Sequence, residues 1–443
     1  MARIALIGLW HLGTVAAAGL ARLGHTVCAT DPDPQIVRCL QRNDPPLYEP
    51  GLAEALSFQV AQGRLRFDSD PRTAFSGAEY TFITFDTPVD ENDQCNLSPI
   101  IAAIDSIALN TGGPLIIVLM SQVPVGTCRT LNARLRARAS KLDFQLVYHP
   151  ENLRLGDAMK TFLMPDFLVV GAETPSTADR LIALYAGVES SVLRMSWESA
   201  EMAKHALNAF LATSISLVNE LADLSELASA DMRDVVRVLR ADRRIGPHAF
   251  LNPGPGFSGG TLGRDVQALR HFARAHDLAT LLLDAALAVN QNRLARIVHH
   301  LAQACAGLRG KRIALLGLTY KPGTNTLRRS HTLALATLLR EQGADVVAFD
   351  PRITSARPET RDIALAASPQ QALAGADAAV LCTPWPDFKN LDLASLRREV
   401  RRPLLFDCHN FLDDAAARQA GWDYWGVGIP LTPVRAERKG AGG

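Results

Sequence analysis

One seven-residue pattern occurs twice in this chain and sets most of what the chain can fold into. It is Arg3-Ile-Ala-Leu-Ile-Gly-Leu9 near the start and Arg312-Ile-Ala-Leu-Leu-Gly-Leu318 in the last third. Each copy leads through a helical stretch to a second apolar run that ends on Asp-Pro: Val27-Cys-Ala-Thr-Asp31-Pro32 and Val346-Val-Ala-Phe-Asp350-Pro351. Short uninterrupted apolar runs are the mark of parallel strands buried on both faces. Strand, glycine turn, helix and strand in that order build a right-handed βαβ unit. The repeat therefore predicts an α/β chain with two doubly wound halves. At 443 residues, and about 150 residues per domain, there is room for a third segment between them.

The first turn reads Gly8-Leu-Trp-His-Leu-Gly13, and Asp31 closes the apolar run that follows its helix. A helix N-terminus at such a turn offers unpaired amides to a pyrophosphate, and an acid closing the second strand takes ribose hydroxyls. The acid favours NAD over NADP, because it repels a 2′-phosphate. A dinucleotide fingerprint has a second glycine where this chain has Trp10. Either NAD binds with the indole turned aside, or the turn is a remnant of a nucleotide fold. The second copy, Gly317-Leu-Thr-Tyr-Lys-Pro-Gly323, lacks the fingerprint and predicts no second NAD.

Further strand ends carry polar tips at Asp86-Thr-Pro88, Ser121-Gln-Val-Pro-Val-Gly-Thr127 and His149-Pro-Glu-Asn-Leu153. Ligands of open α/β sheets bind beyond such carboxyl ends. Glu151 is read there either as a helix N-terminal carboxylate or as a base or substrate-orienting group. From Glu198 to Ala230 there is no proline or glycine. That stretch predicts one helix of about thirty residues, ~45 Å long. Lys204 and Asn208 lie four apart, so they share a face. A buried lysine can hold a developing oxyanion and a neighbouring amide can orient a hydroxyl; an exposed lysine would do neither. The stretch Asn252-Pro-Gly-Pro-Gly-Phe-Ser-Gly-Gly then leads to Asp265. It is either an anion-binding loop or a connector. The arrangement predicts an enzyme with its site between domains.

Charge and cysteine usage exclude several classes. A net charge of +1 gives no basis for a dominant nucleic-acid or membrane-surface role. Seven scattered cysteines without a CxxC pair predict reduced thiols and no metal site. No apolar run nears the ~18 residues that span a bilayer, and the first strand starts too early for a leader peptide. The expected location is the cytoplasm.

The loop Arg244-Ile-Gly…Phe250-Leu-Asn-Pro-Gly-Pro-Gly-Phe-Ser-Gly-Gly-Thr-Leu-Gly-Arg-Asp265 resembles the signature of the UDP-glucose/GDP-mannose dehydrogenase family, on its UDP-glucose side. Tyr48-Glu-Pro-Gly-Leu52, Asp86-Thr-Pro88, Val123-Pro-Val-Gly126, Pro150-Glu151, Glu201-Met-Ala-Lys-His-Ala-Leu-Asn208, Gly317-Leu-Thr-Tyr-Lys-Pro322, Arg328, Ser330, Trp385-Pro386 and Phe406-Asp407 extend it over almost the whole chain. The resemblance implies two Rossmann-like domains joined by a long central helix and a helical middle domain: 1–196 for NAD, 197–300 for the central and dimerisation part, 301–434 for the UDP-sugar, and a disordered tail at 435–443. It implies a homodimer acting on a nucleotide sugar, most simply a UDP-sugar. It implies catalysis by Lys204, Asn208, Asp265 and Glu151, and NAD contacts from Gly8, Trp10, Gly13, Asp31, Thr87, Gln122, Arg264 and Arg328. Substrate contacts would come from Glu151, Leu153, Lys204, Asn208, Arg244, Phe250, Leu251, Asn252, Gly254, Gly259 and Lys321.

The departures fall on cofactor and catalytic positions. Thr261 stands where the family has its nucleophilic cysteine, and Arg264 where it has a lysine. Gln122 replaces a threonine, Leu155 an acid, Cys408 a glycine and His409 an arginine, besides Trp10. A threonine hydroxyl is a far weaker nucleophile at neutral pH unless a base activates it. Three readings are open. The chain oxidises the sugar C6 alcohol with the thioester step impaired or replaced; or it completes both oxidations through a hydrated aldehyde with no covalent intermediate; or it binds nucleotide sugars without turnover. Cys408, next to His409, is read as a scaffold residue rather than a substitute nucleophile.

Overall fold

The computed structural model describes residues 1–87, 95–111, 113–138, 142–258 and 261–430. The 435–443 tail, Pro88 and Gly259 lie outside them. The chain divides into two compact units, the first made of Met1–Leu207 and Gln267–Ala279, the second of Asn208–Val266 and Thr280 onward.

The first unit carries an eight-stranded sheet: β1 (Arg3–Ile7), β2 (Thr26–Thr30), β3 (Leu65–Phe67), β4 (Tyr80–Ile83), β5 (Leu115–Leu119), β6 (Phe144–Tyr148), β7 (Phe167–Ala172) and β8 (Ser191–Met195). Their order is β3-β2-β1-β4-β5-β6-β7-β8. The first six are parallel and doubly wound, and the chain reverses once, where β7 pairs antiparallel with β6. Alternate residues of β1 serve opposite faces. Ile4 and Leu6 pack into the cluster that holds Val15 and Ala18 of the His11–Arg22 helix. Ala5 and Ile7 pack with Ile83 and Ile117. That two-sided burial is why the run is apolar without alternation.

The second unit repeats the plan with six parallel strands, β9 (Arg312–Leu316), β10 (Asp345–Phe349), β11 (Ala364–Leu365), β12 (Ala378–Leu381), β13 (Leu404–Asp407) and β14 (Asp423–Gly426). Their order is β11-β10-β9-β12-β13-β14. The duplicated acids keep one role. Asp31 accepts from the Leu9 amide at 2.7 Å, and Asp350 accepts from the Leu318 amide at 2.7 Å. Asp350 also takes the Thr319 amide and hydroxyl and the Trp385 indole N–H. It is thereby buried and spoken for, so the second copy holds its own turn and has nothing left for a ribose.

The long helix runs Trp197–Leu227 and is 31 residues long. At the usual α-helical rise it measures about 46 Å. It stops short of Ala230 because Ser229 turns left-handed at φ 56° and the Ala230 amide folds back onto the Ser225 carbonyl at 2.9 Å. This is a Schellman-type ending. Among the described residues, no helix is long and apolar enough to cross a membrane. No group of three or more metal-ligating side chains occurs among them.

Candidate active site

The dinucleotide turn owes its path to two glycines. Gly8 has φ +103°, and a Cβ there would lie 2.9 Å from the Phe85 nitrogen. A Cβ on Gly13 would fall 1.7 Å from the Gly8 carbonyl oxygen. Trp10 takes the N-cap of the His11–Arg22 helix with φ −80° and ψ −154°, extended backbone open to any residue. Its carbonyl receives the Thr14 amide at 3.0 Å and hydroxyl at 2.8 Å. Tryptophan therefore leaves the path of the turn intact and changes only what stands beside it, with Trp10 40% exposed. Thr84 pins the turn through its hydroxyl, which donates to the Gly8 carbonyl at 2.7 Å. Burial pushes the Asp31 carboxyl up, against the amides of Leu9 and Asp33 that favour its charge. The glycine cradle, the helix N-terminus and Asp31 fit a dinucleotide. At the neighbouring strand ends the Thr87 hydroxyl donates to the Gln122 carbonyl at 2.6 Å.

Glu201, Lys204, His205 and Asn208 lie three or four apart on the long helix and so line one of its faces. Glu201 is buried and accepts from the Gly126 and Cys128 amides at 2.6 and 2.7 Å. It thereby caps the Thr127–Arg138 helix, and burial raises its pKa despite those bonds. His205 meets the Val123 carbonyl at 2.8 Å. Lys204 is 8% exposed, which rules out a solvated surface lysine. Its ammonium donates to the Glu151 carbonyl and, at 3.3 Å, to Asn152 Oδ1. The Glu151 carboxylate in turn accepts from the Leu153 amide. The following helix starts only at Ala158, so Glu151 is not a helix N-terminal carboxylate. It belongs to the loop that Lys204 grips.

Glu49, of the Tyr48-Glu-Pro-Gly-Leu52 motif, fixes the far side of that loop. It accepts from the Gly156 and Ala158 amides, both at 2.8 Å, and meets His11 Nε2 at 2.9 Å. Burial alone would raise its pKa, but His11 and the two amides prevail and hold the carboxyl below its usual range.

In the second unit the Asn208 amide donates to Asp265, whose side chain is fully buried in the first turn of the Leu262–Arg274 helix. Arg264 precedes it in the same turn. Thr261 sits immediately before this helix, exposed, and its carbonyl accepts the Asp265 amide at 3.1 Å. Gly254 donates its amide to Asn219 Oδ1 at 2.8 Å. Asn252 accepts from Arg240 at 2.8 Å, and Leu251 is buried in the core cluster with Val218 and Ile297. Leu251 thus anchors the loop through its side chain. Phe250 is exposed, and Arg244 is exposed and paired with its neighbour Asp242 at 2.7 Å. Lys321 is partly buried, and Arg328 lies exposed on its own segment.

Cys408 is no substitute nucleophile. It is 1% exposed within the core, and a hydrogen bond with Cys382 together with burial pushes its thiol well up. His409 meets the Cys382 carbonyl at 2.8 Å, and burial lowers its pKa, leaving a neutral ring where the resemblance implies a fixed cation. His331, beside the loop at Phe257, is lowered by burial to about 4. Thr84, Asn219, Asn290 and Arg293 give no signal in the sequence, because each acts on backbone groups distant in the chain. Glu49 stands inside a recognisable motif, but its role emerges only with the loop it holds.

Residues 2–189 match the NAD binding domain of the UDP-glucose/GDP-mannose dehydrogenase family, 198–292 its central domain and 314–414 its UDP binding domain. A UDP-glucose 6-dehydrogenase of Rhizobium meliloti is 35% identical over 437 residues, covering 97% of this chain and all of that one. One from Pseudomonas aeruginosa is 34% identical, covering 97% of this chain and 98% of the relative. The structure of a UDP-glucose dehydrogenase from Pyrobaculum islandicum superposes with a TM-score of 0.89 at 33% identity, covering 97% of this chain and 98% of that one. With three domain matches in order and relatives aligned end to end, this chain belongs to the UDP-glucose/GDP-mannose dehydrogenase family.

Proposed function

We propose that this protein is an NAD-dependent, UDP-glucose 6-dehydrogenase-like enzyme that takes the C6 alcohol of a UDP-sugar to the aldehyde, the four-electron oxidation being impaired or replaced by a two-electron one. The observation that carries the reading is a contrast. Lys204 is buried and gripped by the Glu151 loop, and Asn208 is bonded to a buried Asp265, while Thr261 stands exposed at the nucleophile position.

NAD, when bound, supplies the hydride acceptor. The protein's own residues supply the rest. The Lys204 ammonium stabilises the alkoxide that develops as the hydroxyl loses its proton. Asp265, aimed by Asn208, receives that proton. A family thiol would next add to the aldehyde carbon. Thr261 offers instead a hydroxyl that stays protonated at neutral pH, so addition is slow. The loss of a covalent nucleophile costs roughly 4–8 kcal/mol of barrier.

The same pair of Asn208 and Asp265 supports a second reading, in which water hydrates the aldehyde and the diol is oxidised without a covalent intermediate. Mass spectrometry of the product formed from UDP-glucose and NAD separates them. Uronic acid that persists after thiol alkylation supports the second route. Aldehyde or its hydrate supports the first, and tight UDP-glucose binding with no product sinks both.

The active form is read as a homodimer. Phe210, Leu217 and Leu224 recur every seven residues on the long helix, and all three are exposed. Together they make an apolar seam suited to a second copy. The seven scattered cysteines, with no CxxC pair, make the cytoplasm the expected location.

A further inference from the structure

The segment 252–258 carries glycines at 254 and 256, and glycine backbones are the most costly to order. Its backbone is held by polar side chains on two helices, each at a position that lies in the second unit. Asn219, on the Trp197–Leu227 helix and 1% exposed, accepts from the Gly254 amide at 2.8 Å. Arg293, on the Leu281–Cys305 helix and 3% exposed, donates Nε to the Gly254 carbonyl at 2.8 Å. One turn earlier, Asn290 accepts from the Phe257 amide at 2.7 Å and donates to the Phe257 carbonyl at 2.8 Å. Both polar groups of Gly254 and both of Phe257 are thus spoken for by side chains. Between the two lies Gly256 at φ +97°, where a Cβ would come within 2.3 Å of Asn290 Oδ1.

We propose that Asn290 and Arg293 are positioning residues for the sugar-nucleotide loop, fixing the backbone of Gly254 and Phe257 so that the stretch 252–258 is held in one geometry before substrate arrives. This rests on the reading of 252–258 as a substrate loop. The two side chains are unequal in kind. Asn290 satisfies a complete peptide edge, as a neighbouring strand would. Arg293 joins the loop to Asp223, at 2.5 Å, and Asp223 also holds Arg296 at 2.7 Å. A buried guanidinium with a carboxylate on one side and a loop carbonyl on the other is a rigid strut, because its planar fork cannot satisfy both in a second arrangement. A lysine at 293 can keep the ion pair but has no second, fixed N–H for Gly254.

The test uses full-length wild type, N290A and R293K. Hydrogen exchange is read on peptides covering 251–258, and steady-state kinetics with UDP-glucose and NAD are read on the same preparations. Loss of one or two loop bonds should speed exchange of the loop about 5- to 10-fold or more, with the Leu281–Cys305 helix still protected. A loop displaced by an ångström costs about 100-fold in turnover, so kcat/KM for UDP-glucose should fall by about 10- to 100-fold while KM for NAD holds. Variants with wild-type loop exchange and wild-type kcat/KM for UDP-glucose overturn the proposal. So does an equal rise in the KM of both ligands, which marks a merely structural role. If the wild type itself neither binds nor turns over UDP-glucose, the substrate reading fails, and loop exchange still decides the clamp: faster exchange in both variants upholds it and unchanged exchange ends it.

Discussion

Replacing Lys204 by methionine tests the half of the site that the chain has kept. Methionine fills nearly the same volume, so the helix face stays packed and the cavity cost is small. What is lost is the ammonium, which donates to the Glu151 carbonyl and to Asn152 Oδ1. Hydrogen bonds from a charged donor contribute about 1.5–3 kcal/mol each. Methionine escapes the desolvation of an ammonium, so the net cost to stability is about 1–3 kcal/mol, visible as about 2–4 °C in Tm per kcal/mol. Catalysis should suffer more. Removing one preorganised donor from a developing oxyanion costs about 2.7–4 kcal/mol, or a 10²- to 10³-fold fall in kcat. Lys204 is not among the residues expected to contact NAD, so KM for NAD should not move. Initial rates of NADH formation and calorimetric melting measure both effects. A K204M protein with the wild-type kcat refutes the assignment, whatever its melting temperature.

Trp10 adopts backbone angles that suit any residue, so W10G should leave the fold alone and tighten NAD binding in isothermal titration; no gain means the indole does not stand in the cofactor's way. His331 is held at about 4 against an ordinary value of 6.5, so between those pH values the unfolded chain binds a proton that the folded chain does not. Stability should be full above about pH 6.5 and decline as pH falls toward 4, and urea unfolding of H331Q should show a shallower decline than wild type. The apolar seam predicts that the double variant L217D/L224D becomes monomeric in light scattering, whereas a wild type that is already monomeric removes the dimer.

The first and third glycines of the turn and the acid after β2 are legible because each answers a local demand that the sequence states directly. The duplicated strand likewise announces the second sheet. Lys204 and Asn208 are legible as a face of one helix, yet their partners are not. Lys204 spends its bonds on a backbone carbonyl and an amide some fifty residues earlier in the chain, and backbone groups leave no mark in the residue code. The same holds for Glu49, which reaches Gly156 and Ala158, and for Arg293, which reaches the Gly254 carbonyl. Arg244 and Phe250 show the converse. The pattern marks them, but Arg244 pairs with its neighbour Asp242 and Phe250 is exposed. Trp10 reads as a broken fingerprint, and only the backbone angles reveal that the turn survives it.

The central claim is that this chain retains the groups for alcohol oxidation and, with Thr261 in place of a thiol, stops after one two-electron oxidation. Counting NADH released per UDP-glucose consumed, for wild type and for T261C, tests it directly. Position 261 immediately precedes a helix, where a thiolate is favoured. One NADH per sugar is expected from wild type and two from T261C. Two NADH per sugar from the wild-type protein contradict the claim.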